Sequence, residues 1–241
     1  MIRLLPLLFI LMLSFPASGQ NDIEARRNST APFLYIPAAM ETGSFRYVRT
    51  LQGSLKYGEE IYSLYKILRT EAKKLGANCY KLRSFVRNDT TKMMTLTMAV
   101  FFADELQRII ISNNQETNCL FLFSDDMFNN KKTSFELNDS NITVASGCYY
   151  KYVIQQNEEI KVRKGGFVGD KFKTKWEIDG PSRFLTVEGF KMSSLPLVPI
   201  VAPGIVLVPL PVGASTGKLR ELDYNFGFLL TQILPLHRDE M

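Results

Sequence analysis

Catalysis that depends on a positioned imidazole has little basis in this chain. The sequence contains one histidine, His237, close to its last residue. Serine and cysteine nucleophiles are activated by a histidine base, and zinc hydrolases bind their metal through HExxH motifs or histidine pairs. Neither motif occurs, so we interpret His237 as a solvated residue. We expect no catalytic residue, no cofactor and no metal ligand, and the prediction leans against an enzyme.

Paired carboxylates are the second kind of chemistry that the composition allows. Acidic residues adjoin at several places, among them Glu59-Glu60, Asp104-Glu105, Asp125-Asp126 and Glu158-Glu159. Sequence neighbours point apart on a helix or a strand, so these pairs indicate surface charge. An acid pair that the fold assembles from distant positions, as in a glycoside hydrolase, stays open.

Two loops carry partial ligand-binding patterns. The glycine-rich run 165–171 lacks the GK[ST] ending of a phosphate-binding loop, so a hairpin turn explains it better. The oxygen-rich run 125–130 lacks the glycine and terminal glutamate of an EF-hand loop. Neither loop predicts a ligand site.

The three cysteines, Cys79, Cys119 and Cys148, suggest a single disulfide. In an oxidising compartment the simplest arrangement is one bridge and one spare thiol. We favour Cys119 with Cys148, because both lie in the second half of the chain. Three buried free cysteines are the alternative.

The first 19 residues have the layout of a secretory signal peptide. Arg3 supplies positive charge, Leu4 to Leu13 is apolar, and Pro16 to Gly19 is a small-residue stretch suited to cleavage before Gln20. This layout predicts an exported protein that is either periplasmic or extracellular. Association with a membrane is a further option in both cases. Residues 20–32 are polar and indicate a flexible leader.

The elements predict an α+β chain with two parts. Apolar residues at three- and four-residue steps predict a helix over 59–75, and alternation predicts a hairpin from Cys79–Val86 and Met93–Phe102. With short strands before them, these elements form a small N-terminal α/β module over 33–112.

Seven short strands punctuated by turn residues follow over 119–194, and they predict an antiparallel β-sandwich or barrel. The predicted strands are Leu120–Phe123, Ser134–Leu137, Ile142–Ala145, Tyr149–Ile154, Glu159–Val162, Phe172–Ile178 and Phe184–Val187.

The last part, 195–241, begins with an uncharged stretch over 195–212 that contains five prolines. Interior prolines are incompatible with a regular membrane helix. A pair of extended core or edge segments is one interpretation, and an apolar surface that touches a membrane or an envelope protein is the other. The candidate contact residues are Val198, Ile200, Ile205, Leu207 and Leu210. An apolar segment, 222–236, follows as a final strand or helix.

Residues 53–82 resemble an element of small bacterial envelope modules. Gly53 and Ser54 precede the helix, and Gly76-Ala77-Asn78-Cys79 follows it, which is similar to the helix-then-"GANAVVL" element of the Rcs stress-sensing lipoprotein and the YbjQ-like family. The resemblance implies a compact module in which a helix packs on a small sheet. The run Gly147 to Tyr150 is similar to a "GxYY" strand of uncharacterised envelope β-domains. Neither resemblance implies a catalytic residue.

Together these observations predict a non-catalytic binding or assembly protein of a bacterial cell envelope. A secreted hydrolase with fold-assembled carboxylates is one alternative, and a β-barrel carrier of an apolar ligand, with a cavity lined by aromatic strands, is another. The net charge is +5, but lysines and arginines are scattered along the chain, so we do not expect a nucleic-acid partner.

Overall fold

The computed structural model describes residues 32–57, 59–124, 132–164, 169–188 and 218–237. The predicted signal peptide at 1–19, the leader up to residue 31 and the uncharged stretch 195–212, with its five candidate contact residues, lie outside the described residues.

The first half forms a four-stranded sheet in the order β1-β3-β4-β2. Its strands are β1 (Leu34–Tyr35), β2 (Arg46–Lys56), β3 (Cys79–Asn88) and β4 (Met93–Phe102). The predicted hairpin is confirmed: β3 and β4 pair antiparallel, and the Asn88 side chain accepts hydrogen bonds from the backbone N–H groups of Thr90 and Thr91 in the turn. The short strand β1 pairs in parallel with β3.

Helix α1 (Ile61–Lys74) is the helix that the sequence predicts over 59–75. Its apolar side faces the first sheet, where Leu64, Tyr65 and Leu68 are buried. Gly76 ends the helix in the left-handed region, with φ of 80°. The N–H groups of Gly76 and Ala77 reach back to the carbonyls of Lys73 and Ala72, the Schellman arrangement that a glycine favours at this position.

A second helix, α2 (Glu105–Asn113), begins with a capping box. The Asp104 carboxylate accepts a hydrogen bond from the Gln107 N–H at 2.8 Å, and the Gln107 side chain accepts one from the Asp104 N–H at 2.9 Å. The adjacent acidic pair Asp104-Glu105 is therefore explained by helix initiation. The helix buries Ile111 and leaves Leu106, Ile109 and Ile110 exposed.

The second half forms two further four-stranded sheets, each containing antiparallel pairs. One has the order β12-β11-β5-β8, and the other has the order β10-β9-β6-β7. The strands are β5 (Cys119–Phe123), β6 (Thr133–Leu137), β7 (Ser140–Val144), β8 (Tyr149–Val153), β9 (Glu159–Lys164), β10 (Asp170–Lys175), β11 (Arg183–Glu188) and β12 (Lys218–Glu221). All seven strands predicted for this half are present, and β5 with β11 forms a parallel pair.

The two sheets pack against each other through alternate residues of their strands. Leu120 and Leu122 of β5 are buried in one cluster with Phe135 of β6 and Val162 of β9. The opposite side of β5 is also buried, because Phe121 and Phe123 belong to the buried cluster that contains the core residues of the first sheet and α1. Burial on both faces explains why β5 reads as an unbroken apolar run.

The closing segment is helix α3 (Tyr224–Ile233), which packs between the first sheet and β11. Asp223 caps it by accepting a hydrogen bond from the Phe226 N–H at 3.0 Å. Beyond the helix the chain pairs with β8, where the His237 N–H donates to the Tyr149 carbonyl at 2.7 Å. Phe226 and Phe228 of α3 belong to one buried cluster with core residues of the first sheet and of β5 and β11, so this helix connects the two halves.

The predicted α+β class, with antiparallel sheets packed as in a sandwich, is confirmed. The largest buried cluster draws residues from both sides of the predicted boundary at 112–119. Among the described helices none combines the length and the apolar character that crossing a bilayer requires.

Candidate functional site

The start of β10 and the start of β12 lie next to each other in the second half of the structure. The Asp170 carboxylate, at the start of β10, accepts a hydrogen bond from the Leu219 N–H at 3.0 Å. Residues 189–217, which include the uncharged stretch, connect β11 to β12, and these strands pair with each other up to Glu188 and Lys218.

The hairpin β9–β10 presents basic side chains on its solvent side. We call this surface the basic face; it consists of Lys161, Arg163, Lys171, Lys173 and Lys175. The residues alternate with Ile160, Val162 and Phe172, which pack into the sandwich core. Strand alternation, not a loop, thus fixes which side the charges occupy.

Like charges stand directly opposite each other on the basic face. In the register of the two strands, Lys171 pairs with Arg163 and Lys173 pairs with Lys161. Lys175 faces a carboxylate, Glu159, and on the other side of β9 Arg163 pairs with Glu136 of β6. Direct opposition of like charges destabilises an antiparallel pair.

Carboxylates contact the basic face mainly on the side of β9 and β6. Arg163 forms an ion pair with Glu136 at 3.0 Å and a longer one with Asp139 at 3.8 Å. Glu159 lies 3.9 Å from Lys161 and 3.8 Å from Lys173. Within the described chain, Lys171 and Lys175 on the outer strand β10 have no ion pair.

The predicted Cys119–Cys148 disulfide is not formed, and all three cysteines are free thiols. The register pairs Cys119 with Val153 and Phe123 with Tyr149, so Cys148 lies opposite Ser124 at the far end of the strand pair. Five strand positions at about 3.4 Å each separate the two cysteines by roughly 17 Å. A disulfide needs Cα atoms within about 7 Å. The alternative of free cysteines describes this structure.

The thiols have little reactivity. Cys79 is fully buried and donates a hydrogen bond to the Phe101 carbonyl at 3.5 Å. Burial raises the pKa of the Cys79 thiol to about 12. Burial also raises the pKa of Cys119 and of Cys148, so none of the three favours the thiolate form.

The carboxylates brought together by the fold lie on the surface. Glu136 and Asp139 both contact Arg163, but Asp139 is 88% exposed, so no enclosed carboxylate pair forms there. Glu158 accepts hydrogen bonds from the Tyr152 hydroxyl at 2.6 Å and from the Gln155 N–H at 2.8 Å, which are turn contacts. In the described residues no group of three or more histidines, cysteines or acidic residues is arranged to hold a metal ion.

Two open surface grooves of the described structure have no aromatic side chain in their lining. The larger, of about 470 Å³, lies along the outer side of α1 beside Lys66, Ile67 and Thr70. The smaller, of about 210 Å³, lies between Pro32 and α2. Among the aromatic residues of the second-half strands, Phe184 is buried and stacks on Phe121 at 4.8 Å between ring centroids, whereas Tyr150, Tyr152 and Phe172 are half-buried against the sandwich core.

The basic face is the feature that the sequence interpretation did not identify. Its signal is the alternation of lysine and arginine with apolar residues over 159–164 and 170–175. That alternation predicts one charged side for each strand. The doubling of charge becomes visible only when the register sets the two strands side by side.

Compared with known proteins, the chain matches no protein-family model, no curated protein and no solved structure. Function must therefore be argued from the residues of the chain itself.

Proposed function

We propose that this protein is an exported, non-catalytic component of a bacterial cell envelope that binds a membrane surface or an envelope protein through the uncharged stretch 195–212. The observation that carries the proposal is the attachment of this stretch. Segment 189–217, which contains it, connects β11 to β12, and these two strands pair with each other up to Glu188 and Lys218.

The sequence of the stretch supports a contact role. Its eighteen residues carry no charge, and its five prolines disfavour a regular helix. An apolar surface of this size is seldom left uncovered on a soluble protein. A surface that a membrane or another protein covers accounts for both properties.

Fractionation of the native cells with a carbonate wash tests the proposal. The test variant replaces Val198, Ile200, Ile205, Leu207 and Leu210 by serine. The matched control replaces five exposed apolar residues elsewhere by serine: Ile67, Val86, Leu106, Val153 and Ile178.

We expect the intact chain and the control variant to stay with the membrane fraction and the test variant to be released. Circular dichroism of each purified variant checks that it is folded. Free solubility of the intact chain would refute the proposal, and equal release of both variants would show that segment 195–212 has no special part in the contact.

A further inference from the structure

Strand β2 has a long outer edge that lacks the usual protection against further strand pairing. Proteins protect such edges by shortness, charge, bulges or cover. Among the outer strands that the structure describes, β1 and β7 are short, β10 and β12 are charged, and the chain at 235–237 pairs with β8. Strand β2 has eleven residues, and its run from Thr50 to Leu55 contains neither charge nor proline. Its bulge, at Tyr47 to Arg49, precedes that run.

Helix α1 presents an exposed apolar residue next to this edge. Leu64 lies directly against Gly53, so the helix runs over β2. The side of α1 that carries Arg69 faces α3, where Arg69 pairs with Asp223 at 3.4 Å, and α3 contacts β1 and β3 at the other end of the sheet. Ile67 is about 200° around the helix from Arg69, and it is 66% exposed. Its side chain therefore lies on the side of α1 toward the open edge.

Glu60 and Lys74 lie in one line with Ile67 along α1. Each is seven residues from Ile67, which is close to two helical turns. Glu60 is exposed, and the Lys74 side chain is 70% exposed with only a long contact of 3.7 Å to Glu71. If a second α1 lies antiparallel beside the first with Ile67 opposite Ile67, then Glu60 of each helix lies opposite Lys74 of the other. The line is thus complementary in charge to its own reversed copy.

We propose that this protein forms a symmetric homodimer in which β2 pairs antiparallel with β2 of a second copy, centred on Gly53. Both Leu64 and Leu68 lie against Gly53, so the middle of α1 is level with this residue. A two-fold axis through Gly53 therefore brings Ile67 of the two copies together on one face of the joined sheet. The dimer contact is separate from the contact proposed for segment 195–212.

The pairing centred on Gly53 matches side chains of like character. Leu51 lies opposite Leu55 of the second copy on the helix side, and Gln52 lies opposite Ser54 on the other side. Lys56 lies opposite Thr50, so no like charges oppose each other, and the bulge stays outside the pairing of residues 50–56.

Charge favours a second copy over an unrelated acidic strand. The basic residues of β2, Arg46, Arg49 and Lys56, would attract an acidic strand, but Glu60 and Glu71 on the adjoining side of α1 would repel it. A copy of this chain supplies both signs at the positions where α1 needs them, which is the self-complementarity that a two-fold interface requires.

Sedimentation equilibrium of the purified protein, over a wide range of concentration, tests the inference. The first variant, Ile67→Glu, places two carboxylates together at the two-fold axis. The matched control is Leu106→Glu, at a helix residue that is 73% exposed on α2. We expect Ile67→Glu to weaken dimerisation by at least about a hundredfold and the control to change it by less than about twofold. Thermal unfolding of each variant checks that it is folded.

Charge reversal tests the antiparallel arrangement of the helices. Glu60→Lys alone opposes Lys74, and Lys74→Glu alone opposes Glu60, so each should weaken the dimer by about fivefold or more. The double variant restores opposite charges and should recover dimerisation. Added salt should reduce the differences among these variants, because the charges are exposed.

Cross-linking tests the strand register. Gln52→Cys with Ser54→Cys places thiols on opposing cross-strand positions of the two copies, within disulfide range. Thr95→Cys with Thr97→Cys is the matched control, since these residues face the same side on the inner strand β4. Under mild oxidation the first variant should form a covalent dimer and the control should stay monomeric in a denaturing gel.

The inference is overturned if the intact protein is monomeric at every concentration. It is also overturned if a dimer forms but resists Ile67→Glu, if the double charge reversal fails to recover what the single changes lose, or if the Gln52→Cys with Ser54→Cys variant does not cross-link. None of these results bears on membrane fractionation, so the proposed function is tested separately.

Discussion

Gly227 in helix α3 lies directly against the ring of Phe184 in the second-half sheet. A Cβ atom at this position would lie 2.2 Å from Cγ of Phe184 on β11. The Phe184 ring is buried and contacts Phe121, Tyr224 and Phe228. The absence of a side chain at Gly227 is what allows α3 to reach this aromatic cluster.

We therefore expect Gly227→Ala to destabilise the protein by about 1–3 kcal/mol, because the added methyl group overpacks a rigid ring cluster. Gly43→Ala is the control, since no atom lies within 4 Å of a Cβ at Gly43. The measurement is the free energy of unfolding in denaturant. Equal free energies for the two variants would show that α3 shifts to make room.

Cysteine positions illustrate how a residue-scale inference fails when it ignores pairing. Cys119 and Cys148 both lie in the later part of the mature chain, and on that ground the sequence favours a disulfide between them. The antiparallel register of β5 and β8 instead sets them at opposite ends of the strand pair. Sequence proximity predicts that two residues share a sheet, but the register decides whether they meet.

At the scale of elements, the hairpin β9–β10 places like charges directly opposite each other, which lowers its stability. Lys171 opposes Arg163, and Lys175 opposes Glu159 on the same face. The two lysines sit on the same exposed edge strand, so they differ chiefly in the sign of their cross-strand partner. This pair allows the electrostatic cost of the basic face to be measured directly.

We expect Lys171→Glu to stabilise the protein by about 0.2–1 kcal/mol, because it converts a repulsive cross-strand pair into an attractive one. Lys175→Glu should have the opposite sign, since it places a carboxylate beside Glu159. Urea denaturation at low and high salt provides the measurement, and the two effects should shrink together as salt rises. Effects of the same sign would contradict the register-based account.

Most elements could be predicted from the sequence, because local patterns determine them. The apolar spacing over 59–75 predicts the helix, and Gly76 predicts its end. In the second half, turn residues separate the short strands from one another. What could not be predicted depends on contacts between distant segments. The sequence of segment 222–236 is compatible with a strand or a helix, and its packing against both halves arises from aromatic partners far away in sequence.

At the scale of the whole molecule, tyrosines of the first half hold α3 in place. The Tyr80 hydroxyl donates to the Asn225 carbonyl at 2.7 Å, and the Tyr35 N–H donates to the Asn225 side chain at 2.9 Å. Tyr65 packs against Phe226 at 5.1 Å between ring centroids. These contacts join the N-terminal sheet to the helix that also covers β5 and β11.

Burial makes this junction sensitive to alkaline pH. It raises the pKa of Tyr35 and of Tyr224 to about 12, and it raises the pKa of Tyr65 and of Tyr80 further. A group whose pKa is higher in the folded state keeps its proton more tightly there than in the unfolded chain. Its contribution to stability is complete below the unfolded pKa and is lost as pH rises through the folded one.

The free energy of unfolding should therefore be nearly constant below about pH 10 and should fall steeply between pH 10 and pH 12. Denaturant unfolding at stepped pH provides the measurement, with tyrosinate absorbance recorded in parallel. Tyr65→Phe removes one buried titrating hydroxyl and keeps the ring, so it should reduce the slope. Tyr47→Phe, at a tyrosine that is 55% exposed, should leave the slope unchanged. A slope that responds equally to both substitutions would place the alkaline sensitivity outside the junction, because of the two tyrosines only Tyr65 packs against α3.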